Sequence, residues 1–154
     1  MREINPGAPK GKRFETPLTF DAKLDSTGLA TKTIKYYRDR NLFTKAIEYG
    51  EEWLTINQDQ RPSELLKMLA SVYLNLARAG AEKPSNLEKA EKLLRESMKI
   101  NPRDTLTSKL LARVLSEQNR IDEALALLQT VITQNPRDNE AFELLKKIGQ
   151  LKQT

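Results

Sequence analysis

The chain contains no cysteine and no histidine. Those two absences exclude disulfides, thiolate nucleophiles, zinc sites of the usual type and imidazole acid–base chemistry. Glycine is scarce, at 6 residues, and the 7 prolines fall at a few places, so long loops are not expected. No apolar run approaches the roughly 18–20 residues of a membrane span. The basic residues Arg2, Lys10, Lys12 and Arg13 are followed by no apolar stretch, so the head does not read as a secretory signal and the default address is cytoplasmic. Paired carboxylates such as Glu51 and Glu52, or Asp21 and Asp25, have no nucleophile or metal partner beside them and read as solvated faces. No phosphate-binding loop occurs, since Pro9-Lys10-Gly11-Lys12-Arg13 has neither a strand before it nor a helix after it. No enzyme, no cofactor and no metal site is expected.

What the chain does have is length enough for one domain, 154 residues, and an internal repeat. Asn101-Pro102-Arg103-Asp104 recurs further along as Asn135-Pro136-Arg137-Asp138. Ahead of each tetrapeptide the same interval recurs, with Ala90, Leu93, Leu94 and Ser97 corresponding to Ala124, Leu127, Leu128 and Val131. A more diverged copy precedes Ile56-Asn57, with Ala46, Tyr49, Gly50 and Trp53. The apolar residues Leu110, Leu111, Val114 and Leu115, then Ile121, Ala124, Leu125 and Leu128, recur with the period of one helix face. Pro102 and Pro136 cannot continue a helix and mark stops. Asn119 is placed to cap a second helix, and Ser85 to Glu88 reads as a capping box opening another.

These residues resemble the tetratricopeptide repeat family, whose unit of about 34 residues is a pair of antiparallel helices with a small residue where they cross. Leu111, Ala112, Leu115, Ala124, Leu128 and Pro136 carry the pattern in the unit 105–138, and Leu69, Ala70, Tyr73, Ala90, Leu94 and Pro102 in 63–104. In 27–60 it is carried by Thr33, Ile34, Tyr37, Ala46, Gly50 and Trp53, with a large residue where the first helix's small one belongs and Gln58 in place of the proline. The resemblance implies an all-α superhelical array of about three helix pairs over residues 27–154, closed by a capping helix at 139–151. The middle unit, 63–104, is longer than the unit 105–138 that follows it. The excess is expected between its helices around residues 79–86, as a plain connection or a lip touching a partner. Residues 1–26 form an N-terminal extension, their first half reading as disordered and their second half, with Phe14, Leu18, Phe20 and Leu24, as a strap over the first repeat or a separate ligand motif.

In that family the first helix of each unit lines a concave groove that holds extended peptides. Carried over, the groove positions are Thr31, Lys32, Lys35 and Arg38, then Glu64, Lys67, Met68, Ser71, Leu74 and Asn75, and finally Leu106, Lys109, Leu110, Arg113, Ser116 and Glu117. Six basic residues face two acids over an apolar floor of Met68, Leu74, Leu106 and Leu110. An acidic, partly apolar segment of another protein is the natural guest of an interaction adaptor of this kind. Family members that grip the carboxyl termini of large chaperones use a clamp of Lys, Asn and Arg. The matching positions hold Thr31, Lys35, Met68, Leu106 and Leu110, so that clamp is not expected here. The net charge of +5 also permits nucleic-acid binding, but no base-reading motif is present and binding of that kind is not expected. A third possibility is an oligomerisation module with Trp53 and Phe142 as contacts.

Overall fold

The computed structural model describes residues 21–23 and 25–152. They form seven helices: α1 (Thr27–Asp39), α2 (Phe43–Ile56), α3 (Ser63–Arg78), α4 (Lys83–Ile100), α5 (Thr105–Glu117), α6 (Ile121–Gln134) and α7 (Asn139–Lys152). No strand occurs among the described residues. The array is all-α, three antiparallel pairs and a final single helix.

Its curvature follows from which helices meet. The odd-numbered helices touch in series, α1 on α3, α3 on α5 and α5 on α7, whereas no two even-numbered helices touch one another among the described residues. A double layer whose one side is in contact and whose other side is splayed must bend toward the contacting side. The odd helices are therefore the inner wall, and the sequence pattern reflects it. In α3, which packs on α1, α2, α4 and α5, Leu65, Leu66, Leu69, Val72, Tyr73 and Leu74 are all buried, so most of its circumference is apolar. The outer helix α6 buries only the narrow stripe Ala124, Leu128 and Val131.

Helix pairs cross over small residues. Ala46, Ala90 and Ala124 on the outer helices are fully buried, as are Ala70 and Ala112 on the inner ones. The first pair departs from this by exchanging sizes. Ile34 stands where α3 and α5 have Ala70 and Ala112, and Gly50 stands where α4 and α6 have Leu94 and Leu128. A Cβ on Gly50 would lie 3.2 Å from Ile34 Cδ1 and 2.8 Å from Leu69 Cδ1, so the bulk has moved from the outer helix to the inner one.

The turn within each pair is built one way. Asn41, Gly80 and Asn119 take positive φ (60°, 92° and 64°), the left-handed conformation that glycine and asparagine tolerate. The following amide in each case reaches back to an inner-helix carbonyl: Leu42 to Tyr37 (2.9 Å), Ala81 to Leu76 (3.2 Å) and Arg120 to Leu115 (2.8 Å). This is the Schellman closure. Asn119 thus ends α5 rather than capping α6, whose N-cap residue is Arg120 with no side-chain cap bond. The capping box at Ser85 is also displaced, because α4 already begins at Lys83 with proline in its first turn.

The extra length of the middle unit is helical. α3 and α4 have 16 and 18 residues against 13 and 14 in α5 and α6, and the turn 79–82 is only one residue longer than 118–120. No extended lip forms between these helices. Of the N-terminal extension, Ala22 is buried in the core, and Asp25 accepts hydrogen bonds from the Trp53 indole N–H (3.0 Å, at its carbonyl) and from the Tyr49 hydroxyl at its carboxylate. The readings made on Phe14, Leu18, Phe20 and Leu24 lie outside the described residues.

Candidate functional site

The inner wall is assembled by α1, α3, α5 and α7. The residues anticipated on it fall into two groups, those the fold consumes and those it presents.

Lys67 and Lys109 are consumed. Each is 8% exposed. The Lys67 ammonium donates to Asp104 (2.6 Å) and Glu64 (2.8 Å), and that of Lys109 to Asp138 (3.0 Å) and Glu140 (2.8 Å). Asp104 also caps α5, accepting from the Leu106 amide at 3.1 Å, and Asp138 accepts from the Ala141 amide at the start of α7 at 3.0 Å. One acid therefore starts an inner helix and neutralises the lysine of the inner helix before it. At the first junction neither partner exists: Thr31 and Pro62 stand at the corresponding places, and Arg38 instead donates to the Ser71 hydroxyl at 3.0 Å.

The titration of these groups follows. Burial pulls the Lys109 ammonium down, but Glu140 and Asp138 outweigh it and hold it above its ordinary value. The Ala141 amide, then the Lys109 ammonium, keep Asp138 below 3.8, while Lys109 and Arg113 keep Glu140 below 4.5. Carboxylates depressed in the folded state stabilise it above their ordinary values, and that contribution is lost as pH falls through the lower folded values. Lys109→Met keeps the stem and removes the charge. It is expected to cost about 1–3 kcal/mol at neutral pH, because Asp138 is left poorly paired. The difference from wild type should shrink progressively below about pH 4. Urea titrations at neutral and acid pH measure this, and an equal loss at both would exclude the ion pair as its source.

Leu74, 3% exposed, is core rather than floor, and Leu110 is nearly as covered. The remaining positions are presented. Lys32 is exposed with no partner among the described residues, and Lys35 bonds Asp39 within its own helix at 2.5 Å. Arg38, Met68 and Asn75 are half-buried, and Leu106 is 43% exposed. Arg113 donates to Glu140 at 2.5 Å and stays partly open. Of the two aromatic residues considered for self-association, Trp53 is 1% exposed and unavailable, whereas Phe142 is 49% exposed.

α7 contributes more than a lid. Arg113, Leu144 and Lys147 line two adjoining hollows of about 420 and 500 Å³. The second is completed by Arg78, Glu117, Ile148 and Leu151, among others. Sequence reasoning passed over Leu144 and Lys147, although they lie one repeat interval beyond Leu110 and Arg113, so the repeat itself points to them. No helix among the described residues is long and apolar enough to cross a membrane.

Residues 83–148 match the family model described as tetratricopeptide repeat. No curated protein matches the chain in sequence. Among solved structures, the first tetratricopeptide-repeat domain of Spaghetti (RPAP3), bound to the HSP90 peptide SRMEEVD, is similar with a TM-score of 0.68 at 17% identity, over 82% of this chain and 92% of that one. The second such domain of human RPAP3, in complex with the HSP70 peptide SGPTIEEVD, gives 0.66 at 17% identity, over 78% and 92%. The corresponding domain of Sgt2 from Aspergillus fumigatus gives 0.67 at 13% identity, over 88% and 85%. The helix pairs, their recurrence at a fixed interval and these likenesses agree: the chain has the tetratricopeptide-repeat fold, and residues 83–148 match the repeat itself.

Proposed function

We propose that this protein is a non-catalytic interaction adaptor whose inner wall holds an extended segment of another protein, one carrying both acidic and apolar side chains. The observation that carries this reading is the order of side chains left presented along the wall. Lys32, Met68, Leu106, Arg113, Leu144 and Lys147 set cationic groups beside partly exposed apolar ones. Exposed ion pairs contribute only about 0–1 kcal/mol each, so the apolar contacts supply most of the affinity and the charges select the guest. That two structural neighbours hold acidic peptides supports the class of ligand. The clamp positions here, Thr31, Lys35, Met68, Leu106 and Leu110, hold a single basic residue and do not support the chaperone tail itself as the guest. The cytoplasm is the compartment we propose, on the sequence argument alone.

The test is a fluorescein-labelled peptide of alternating Glu and Leu, titrated against the full chain beside Gln–Leu and Lys–Leu peptides. The acidic peptide is expected to bind with a Kd on the order of micromolar, about 8 kcal/mol. The Gln–Leu peptide should bind more weakly and the Lys–Leu peptide most weakly of the three. Equal affinity for all three, or none for the acidic one, removes the reading.

A further inference from the structure

Glu140 stands out on the inner wall because it is a carboxylate from α7 seated on two cations of α5. Its Oε1 meets Lys109 Nζ at 2.8 Å and its Oε2 meets Arg113 Nη2 at 2.5 Å. The two bonds are not alike in what would follow from breaking them. Lys109 keeps a second, buried acid in Asp138, 3.0 Å away, so the loss of Glu140 does not strand its charge. Arg113 is partly open, and the Glu140 side chain is 48% exposed. Such a pair is held by the small energy of an exposed ion pair, and water or another anion exchanges with it readily.

The surroundings suit an exchange. Of the other acids around the hollows, Glu117 is already covered by Arg78 (3.4 Å) and Lys83 (3.1 Å). Glu143 shares the first hollow with Lys146 and Lys147, and those two lysines have no partner among the described residues. Leu144 lines both hollows together with Arg113 and Lys147, and Leu151 edges the second. An anion arriving beside Arg113 therefore finds Lys147 unspent and apolar surface close by.

We infer that Glu140 is a built-in occupant of the guest's carboxylate seat. A ligand acid displaces it from Arg113 and is met by Lys147, while neighbouring apolar side chains of the ligand settle on Leu144 and Leu151. The inference rests on the proposed adaptor reading and adds to it a location, the α5–α7 end of the wall, and an internal competitor that lowers affinity. The displaced Glu140 retains Lys109, so α7 need not move for the seat to open.

The alternating Glu–Leu peptide is titrated against wild type, E140Q, K147E and K45E, with helicity checked by circular dichroism. E140Q removes the competitor and is expected to bind about two- to fivefold tighter, the span of one exposed ion pair. K147E is expected to bind about five- to tenfold more weakly, since an attraction is replaced by a repulsion of similar size. K45E, an exposed position on the outer helix α2, should change affinity by less than about twofold, and both gains and losses should fade as salt is raised. Peptide binding that ignores both E140Q and K147E overturns this inference while leaving the adaptor reading intact. Tighter binding by E140Q accompanied by lost helicity, or weaker binding by E140Q, overturns it as well. No binding to any of the four proteins overturns both.

Discussion

Ile34→Ala and Gly50→Leu are each expected to destabilise the protein, while the double variant recovers most of the loss. Ile34 is fully buried between α1, α2 and α3, and its truncation leaves a cavity costing about 2–5 kcal/mol. A side chain at position 50 begins with a Cβ only 2.8 Å from a Leu69 methyl and must push further into the space Ile34 holds. Overpacking of that kind costs about 1–3 kcal/mol, partly offset by up to about 1 kcal/mol from replacing a mid-helix glycine. Made together, the two changes recreate the Ala–Leu arrangement of the other pairs, Ala70 with Leu94 and Ala112 with Leu128. A favourable coupling of about 1–3 kcal/mol in a urea-denaturation cycle is the expected result. Strict additivity of the two single changes would show that the residues do not share one space.

Trp53→Ala carries the other large effect. Its side chain is among the largest of those fully buried, and its indole N–H donates to the Asp25 carbonyl. Loss of an aromatic core residue costs about 3–5 kcal/mol, and this one also unties the chain ahead of α1. Stability in repeat arrays is set by each unit and its immediate neighbours. The damage should therefore be local: amides of α1 and α2 exchange faster by roughly two to three orders of magnitude, while those of α5 to α7 change little. Hydrogen exchange resolved by residue measures it. Uniform acceleration along the whole chain would mean that the array unfolds as one block and would discard the local picture.

Both predictions concern the first pair, which is where the sequence is hardest to read. The Asn-Pro-Arg-Asp repeat and the buried alanines place α3 to α6 directly, because the interval between the two tetrapeptides is the length of one helix pair with its turns. Ile34 reads as a defect, since a large residue replaces a small one, and its compensation by Gly50 lies on a different helix, beyond the reach of any periodicity. The middle unit misleads in another way. Additional length containing Ala-Gly-Ala and a proline suggests a loop, yet a proline in the first turn of a helix costs nothing, and α3 and α4 absorb nearly all of it.

The site is legible in position more than in state. The period assigns the wall residues of α1, α3 and α5, and Lys32, Leu106 and Arg113 are presented there. That Lys67 and Lys109 are spent internally depends on an acid 37 or 29 residues away, delivered by the cap of the next inner helix. A signal for this exists: where lysine is missing, at Thr31, the acid is missing too, at Pro62. Leu144 and Lys147 escape notice when a terminal helix is read only as a cover.

The double duty of Asp104 and Asp138 governs how such a chain could be cut and spliced. Severed just behind either acid, a fragment carries away both the lysine and the carboxylate that answers it. Severed a few residues earlier, at the apparent end of α4 or α6, the same fragment keeps a cation whose capping aspartate has gone with its neighbour. Hybrids joined behind the aspartate would inherit balanced seams, and those joined ahead of it would begin with a mismatched one.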